Sequence, residues 1–311
     1  MHFTPIDHAA RVSAIRSLLS AGDLGVDALL FTDLVDVRWL TGFTGSNGWV
    51  VMRPDRAVLG TDTRYGERAA AETDGSGVEI VAIQHRGDLH RALVDAAGTG
   101  TVGLDARSTT HAQWKQLAVD VSLASVDSIV ATAREVKDVA EIERIEAASA
   151  AADAALQEVE PLLFGTLDSP LTEADVRDEL EYRMRRHGAD DRSYETIVAT
   201  GPDHAARPHH DVGRRTIVEG DTVVIDVGAL VEGYHSDMTR SYVIGEPTAL
   251  QRDIYELVQV SQTAGLAALH PGVTATAVDS ACRDVFVEAG YAGWYLHGTG
   301  HGVGLQIHES P

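Results

Sequence analysis

The sequence predicts an α/β domain over residues 1–133, followed by an α+β domain with a mainly antiparallel sheet over residues 134–311. Its 311 residues suit two domains better than one, and the 44% of apolar residues suffice for real cores. Helical and strand patterns alternate singly up to about residue 133. Beyond that point a long helical pattern leads into paired strands between helices, which favours an antiparallel sheet.

The elements of the first domain begin with an amphipathic helix. It is predicted over His8–Ala21, because apolar residues recur there every three or four positions. Strand patterns follow at 26–31, 49–52, 57–59, 78–83, 103–104 and 126–129. The glycine-rich stretch RWLTGFTGSNG is interpreted as turns. A phosphate-binding loop would need a Lys-Ser/Thr pair and a following helix, and neither pattern is present.

The second domain begins with one long helical pattern over residues 135–160. A second helix is predicted from Thr172 to Gly188, because Asp175 completes a capping-box pattern with Thr172 and apolar residues form one face. That face consists of Val176, Leu180 and Met184. Strands are then predicted at 196–199, 222–227 and 239–244, and helices at 250–269 and 276–289.

Charge and cysteine content restrict the partners and the compartment. The formal net charge of −22 argues against nucleic acid and against an anionic membrane surface as partners. Cys282 is the only cysteine, so no disulfide forms within the chain, which fits a reducing compartment. No apolar run approaches 18 residues and no signal peptide is recognisable. We therefore expect a cytoplasmic protein that does not bind membranes.

Two aspartates carry the strongest functional signal. Asp226 ends the apolar run Val223–Ile225, and Asp237 precedes a second strand pattern. Their midpoint lies just before Gly233, which predicts that they face each other across a hairpin with Cβ atoms about 4.5–5.5 Å apart. Two ionised carboxylates that close repel unless a cation lies between them, and two metal ions about 3.5–4 Å apart fit that spacing. Solvated turn residues are the alternative, which the apolar run before Asp226 disfavours.

A histidine-rich tail supplies further ligand-type side chains. The segment LHGTGHGVGLQIHESP contains His297, His301 and His308. Alternating glycines oppose a helix, so we expect a turn and then a strand with Val303, Leu305 and Ile307 on one face. A disordered tail is the alternative. Carboxylate and imidazole ligands without sulfur suit Mn²⁺, Co²⁺ or Zn²⁺, and the combination indicates metal-assisted hydrolysis by an activated water.

The order of three motifs resembles a known family. PHH, then IDVGALVEGYHSDMTRSY, then HGTGHGVGLQIHE is closely similar to the Xaa-Pro peptidases, the prolidases and aminopeptidases P of the pita-bread fold. DVRWLTGFTGSNG and TDTRY resemble the non-catalytic creatinase/prolidase N-terminal domain of that family. AREVKDVAEIERI resembles the start of its catalytic domain. The resemblance extends over essentially the whole chain.

The resemblance implies roles for six residues. Asp226, Asp237 and His301 match metal ligands, with Asp237 as the bridging or chelating carboxylate. The histidines that match substrate and intermediate contacts are His209, His297 and His308. The implied cofactor is a pair of Mn²⁺, Co²⁺ or Zn²⁺ ions, with manganese favoured. The implied substrates are Xaa-Pro dipeptides or peptides with proline at the second position, and a homodimer is expected.

One departure from the family pattern concerns two further metal ligands. The family supplies two glutamates, one of them the general base, after the segment that contains His308. This sequence ends at Pro311 before either position, and Glu309 is too close to His308 to replace them. We therefore expect a fragment of a longer protein rather than a degenerate member, with impaired metal binding as it stands. A metal-independent creatinase-like hydrolase and a non-catalytic pita-bread peptide-binding module are the alternatives, and the retained aspartates argue against both.

Overall fold

A computed structural model describes residues 2–84, 86–165, 171–207, 209 and 212–311. The chain divides into two compact units: an N-terminal unit, Thr4–Val136, and a C-terminal unit that combines Met1–Phe3 with Lys137–Pro311. The predicted domain ranges 1–133 and 134–311 stay a prediction, because compactness alone does not establish an independently folding domain. No helix in the described part of the chain has the length and apolar character needed to cross a membrane.

A six-stranded mixed sheet forms the centre of the N-terminal unit. Its strands are β1 Ala28–Phe31, β2 Gly48–Met52, β3 Ala57–Asp62, β4 Glu79–Ile83, β5 Thr101–Asp105 and β6 Ser122–Val126, in the order β4-β3-β2-β1-β5-β6. The β1–β2 and β2–β3 pairs are antiparallel and the other pairs are parallel. The helices are α1 His8–Ala21, α2 Leu34–Thr41, α3 Gly66–Glu72, α4 Arg86–Ala97, α5 His111–Leu117 and α6 Ile129–Glu135. The unit therefore has the α/β character that the sequence predicts.

Individual predictions in this unit have different outcomes. Helix α1 has the predicted bounds. The predicted strand at 126–129 is wrong, because β6 ends at Val126 and Val130 is buried on α6. Strand β6 lies at the sheet edge and has Ser122 and Ser125 among its five residues, so its apolar pattern is weak. The RWLTGFTGSNG stretch ends α2 at Gly42, which has a left-handed φ of 82°, and it opens no helix.

The C-terminal unit combines helices with two three-stranded antiparallel sheets. Its helices are α7 Val139–Phe164, α8 Glu173–Arg186, α9 Gly201–His204, α10 Ala249–Ala268 and α11 Ala275–Glu288. Its strands are β7 Asp191–Arg192, β8 Ile197–Thr200, β9 Thr222–Val227, β10 Ala229–Val231, β11 Tyr234–His235 and β12 Met238–Val243. They form the sheets β11-β10-β7 and β12-β9-β8. All of these pairs are antiparallel, as predicted for this half.

Capping residues explain where α7 and α8 begin. Thr172 and Asp175 form the predicted capping box of α8, with the Thr172 amide donating to Asp175 Oδ2 at 2.8 Å. A second capping box, formed by Asp138 and Glu141, starts α7. The prediction of one helix from residue 135 is therefore wrong at its start, since Glu135 ends the preceding helix.

The core of the C-terminal unit determines which strand residues face outward. Val223, Ile225 and Val227 of β9 are fully buried and pack with residues of α7 and α8 in one apolar cluster. Because side chains alternate along a strand, Asp226 lies on the opposite face of β9. The apolar alternation of β9 thus presents a carboxylate away from the core.

The histidine tail does not form the predicted strand. Residues 303–307 make a loop that is closed by one isolated bridge, in which Gly302 and Glu309 each donate an amide to the other's carbonyl at 3.0 and 2.9 Å. The Gly304 amide donates to the Gln306 carbonyl at 3.0 Å, which turns the chain back on itself. The alternation of apolar residues did not predict this loop. In the described residues one hydrogen bond, from the His235 amide of β11 to the Gly304 carbonyl at 2.9 Å, joins the segment to a strand, and no continuous strand pairing forms.

Candidate metal site

The hairpin register places the two aspartates on a diagonal. Asp226 of β9 pairs with Thr239, and Val227 pairs with Met238, so Asp237 lies just before β12. The prediction that the two aspartates face each other directly is wrong by two residues. Glu232 and Gly233 form the turn, with φ of 45° and 82°, one residue later than the predicted midpoint. A shift of two residues keeps both carboxylates on the same face.

Gly228 allows the chain to approach itself beside Asp237. A Cβ at this position would lie 1.9 Å from the Ser236 carbonyl oxygen. The Ala229 amide donates to Ser236 Oγ at 3.0 Å, and the Ser193 amide donates to the Gly228 carbonyl at 2.8 Å. Glycine is therefore required where β9 passes into β10, and the contact with Ser236 positions the neighbouring Asp237.

The hydroxyl of Tyr194 joins the two carboxylates. It lies 2.5 Å from Asp226 Oδ1 and 2.9 Å from Asp237 Oδ1. Burial, followed by the hydrogen bond to Asp226, raises the pKa of Tyr194 above its ordinary value, so the hydroxyl keeps its proton and donates. Burial also raises the pKa of Asp226. The hydrogen bond from Tyr194 opposes this effect, and the charge of Asp237 adds to it.

The position of Tyr194 between the carboxylates is not predicted by the sequence. Tyr194 lies three positions before Ile197, the β8 residue that pairs with Asp226. That proximity depends on the register between β8 and β9, which brings together residues that are distant in sequence. A tyrosine just ahead of a strand is no signal by itself, because tyrosine is common in strands for packing reasons.

His301 is oriented towards Asp237. Its Nδ1 lies 2.9 Å from the Gly302 carbonyl oxygen, and its Nε2 lies 3.3 Å from Asp237 Oδ2. A carbonyl oxygen can only accept, so Nδ1 donates this hydrogen bond, and Nε2 is the nitrogen that faces Asp237 and would face a cation there. Metal-binding histidines commonly have their second nitrogen held by a carbonyl or carboxylate in this way.

The other predicted histidines lie at different distances from the carboxylates. The His308 and His301 rings have centroids 4.2 Å apart, with an interplanar angle of 53°. His297 is exposed and its Nδ1 donates to the Gly298 carbonyl at 2.9 Å. His209 is exposed and close enough to Asp226 for its charge to lower the pKa of that carboxyl. His210, the second histidine of the PHH motif, lies outside the described residues.

The carboxylate and imidazole donors around Asp237 are chemically suited to a divalent cation, but too few of them lie close together to enclose one. In the described ranges, no group of three or more His, Cys, Asp or Glu side chains is close enough to hold a metal ion. Asp237 instead contacts its partners pairwise: Asp226 through the Tyr194 hydroxyl, and His301 directly. Two carboxylates and one imidazole nitrogen match Mn²⁺, Co²⁺ or Zn²⁺ chemically. Their assignment as ligands stays a prediction.

Both halves of the chain match the models of known protein families. The model of metallopeptidase family M24 matches residues 143–311, and the model of the creatinase/prolidase N-terminal domain matches residues 11–136. The chain belongs to metallopeptidase family M24. The family resemblance inferred from the three motifs is thereby confirmed.

Relatives across the M24 family are similar to almost the whole chain. The uncharacterised peptidase YqhT of Bacillus subtilis is 35% identical over 97% of this chain and 84% of its own length. The Xaa-Pro dipeptidase of Pyrococcus furiosus is 32% identical over 92% of this chain and 80% of its own length. The solved Xaa-Pro dipeptidase from Bacillus anthracis has a TM-score of 0.88 at 31% identity, covering 98% of this chain and 84% of that one.

Membership of M24 confirms the predicted fold class. The N-terminal half has the creatinase/prolidase N-terminal fold, and the C-terminal half has the pita-bread fold of M24 enzymes. An M24 metallopeptidase uses divalent metal ions, which agrees with the carboxylate and imidazole donors around Asp237.

Proposed function

We propose that this protein hydrolyses the peptide bond preceding proline, in Xaa-Pro dipeptides or in peptides with proline at the second position. The observation that carries the proposal is the position of Asp237, which contacts His301 directly and is joined to Asp226 by one hydroxyl. The names of the Bacillus anthracis and Pyrococcus furiosus relatives support proline-containing substrates.

The residues around Asp237 are proposed to have different roles, some in metal binding and others in catalysis. Divalent ions held here would supply Lewis acidity and would activate a water for attack. Asp226, Asp237 and His301 would hold them, with the His301 ring oriented by the Gly302 carbonyl. Tyr194 lies between the two carboxylates and shares its single hydroxyl proton with them, with the shorter contact to Asp226.

Three exposed histidines are the groups proposed to act on the substrate. The exposed His308 ring lies beside the His301 ring, so it is proposed to hydrogen-bond the oxyanion that develops during attack on the scissile carbonyl. His297 and His209 are proposed to orient the peptide and its leaving group. Exposure leaves all three rings accessible to a ligand.

Removal of Asp237 and of His308 should have different effects. Asp237→Ala is expected to abolish metal-dependent cleavage of an Xaa-Pro dipeptide, because it removes the carboxylate that contacts both His301 and the Tyr194 hydroxyl. His308→Ala should lower kcat while metal remains bound. Hydrolysis of a Gly-Pro dipeptide and the metal content after dialysis measure the two effects, with the exposed Asp253→Ala as matched control. Loss of metal in His308→Ala would contradict the assignment of His308.

The alternatives make separate predictions in the same assay. A metal-independent hydrolase related to creatinase would keep its activity after treatment with a chelator. A non-catalytic peptide-binding module would bind an Xaa-Pro peptide without cleaving it in the presence of Mn²⁺. Manganese, a homodimer and a cytoplasmic location complete the proposal, and they rest on the family resemblance, the single cysteine and the acidic composition.

A further inference from the structure

An ion pair between residues far apart in sequence lies inside the C-terminal unit. Lys137 Nζ is 3.1 Å from Glu309 Oε2, and the two side chains are only 14% and 5% exposed. Lys137 is one of two lysines in a chain whose other basic side chains are arginine and histidine. It lies just before α7, whose cap is Asp138. The pair therefore ties the start of a long core helix to the histidine tail.

Glu309 holds together the loop formed by residues 302–309. Its Oε1 accepts the Gln306 amide at 3.1 Å, and its backbone pairs with Gly302 in both directions. The carboxylate also occupies the space above Gly304, where a Cβ would lie 2.8 Å from each of its oxygens. Glu309 thus contacts the middle of the loop with its side chain and closes the ends of the loop with its backbone.

The closed loop is linked directly to the His301 ring. The Gly302 carbonyl oxygen accepts the Glu309 amide at 2.9 Å and also lies 2.9 Å from His301 Nδ1. The atom that orients the imidazole is therefore held in place by the Glu309 backbone. The opposite nitrogen of the ring, Nε2, then faces Asp237 at 3.3 Å.

The two charges stabilise each other in this place. A buried ion pair gains little over an apolar pair, but removing one partner raises the cost of keeping the other charge in a poorly solvated environment. Without Lys137, the Glu309 carboxylate is therefore expected to move towards water and to take its backbone with it. The Gly302 carbonyl would then lose the amide that holds it in position.

We propose that Lys137 and Glu309 are positioning residues that aim His301 Nε2 at Asp237 by locking loop 302–309. The inference rests on the proposed function only in treating His301 as a cation ligand. It concerns a ring orientation that exists before any metal or substrate binds.

The direct test is ¹⁵N NMR of the histidine rings in the metal-free protein, combined with Co²⁺ titration. Wild type should show a hydrogen-bonded Nδ1–H proton on His301, protected from solvent exchange and assigned by the signal that disappears in His301→Gln. Lys137→Met and Glu309→Gln should each lose that protection and bind Co²⁺ about tenfold more weakly, as supports of metal-bound histidines do. Lys137→Arg should restore both properties. Lys115→Met removes the other lysine, which is exposed, and should change neither.

Three outcomes separate the explanations. A lowered melting temperature in Lys137→Met with an unchanged His301 Nδ1–H signal and Co²⁺ affinity would mean that the pair only stabilises the fold, which overturns the proposal. A Lys137→Arg variant that behaves like Lys137→Met would overturn the role of the positive charge. If wild type shows the protected Nδ1–H proton and the variants lose it, while none of them binds Co²⁺, the proposed metal site fails and the positioning role remains supported.

Discussion

The aspartate hairpin and the histidine loop hold their functional side chains in different ways. Asp226 lies on a strand whose alternate residues are buried and which pairs with β12 over six residues. The loop that carries His308 is closed by one bridge and by the Glu309 carboxylate. The carboxylates therefore depend on backbone register, whereas the imidazoles depend on a few side-chain contacts. Substitutions should affect the two halves of the site by different routes.

Glycine substitutions should separate the two halves most strongly. Gly228→Ala is expected to lower the free energy of unfolding by about 3 kcal/mol, because the added Cβ would overlap the Ser236 carbonyl oxygen. Gly298→Ala, in the histidine tail, should change it by less than about 0.5 kcal/mol, since no atom lies within 4 Å of the added Cβ. Urea denaturation followed by circular dichroism measures both. Equal costs would mean that the hairpin is no more constrained by its backbone than the tail.

The acid sensitivity of the hairpin provides a second comparison. Arg215 donates two hydrogen bonds to Asp221, just before β9, and these hold the pKa of that carboxyl below its ordinary value. Because the folded pKa is depressed, this stabilisation is complete above about pH 4 and is lost as the pH falls through the folded pKa. Asp221→Asn should lower the free energy of unfolding by about 2 kcal/mol at pH 7.

The same substitution has a distinctive pH profile. The difference in unfolding free energy between wild type and Asp221→Asn should shrink as the pH is lowered below 4, because the wild-type carboxyl becomes protonated. Urea titrations between pH 2.5 and pH 7 test this, with the exposed Asp253→Asn as matched control. A difference that does not vary with pH would show that the Asp221 charge contributes nothing to holding β9.

Removal of one hydroxyl should have the smallest effect on stability. Tyr194→Phe deletes the donor that joins Asp226 and Asp237, and in metal-free protein it should cost about 1–2 kcal/mol of unfolding free energy. Tyr182→Phe, on the exposed face of α8, should cost almost nothing, since Tyr182 is 58% exposed. A cost for Tyr194→Phe as small as that of the control would mean that the hydroxyl does not hold the carboxylates together.

Local signals account for the parts of the fold that the sequence predicted well. The bounds of α1, the capping box of α8 and the alternation of β9 all depend on residues within one or two turns of each other. Short helices such as α2 and α5, with eight and seven residues, were not predicted, because about two turns are too few to establish a periodicity.

Long-range relations account for the parts that the sequence did not predict. The turn falls on Glu232, a non-glycine residue with positive φ, and such residues carry little turn signal. The apolar alternation at Val303, Leu305 and Ile307 predicted a strand, but a strand needs a partner that the local pattern does not reveal. Tyr194 and the Lys137–Glu309 pair depend on chain contacts over 32 residues or more, which a single sequence does not show.

Binding of Co²⁺ to wild type and to Asp237→Ala tests the central claim most directly. We expect wild type to bind at least one Co²⁺ ion with a visible d–d absorption band, because Asp226, Asp237 and His301 supply carboxylate and imidazole donors, and with the weak affinity that three protein donors give. Asp237→Ala should lose that band, since Asp237 is the carboxylate that contacts both His301 and the Tyr194 hydroxyl. Equal Co²⁺ binding by the two proteins, or none by wild type, would contradict the assignment of this site.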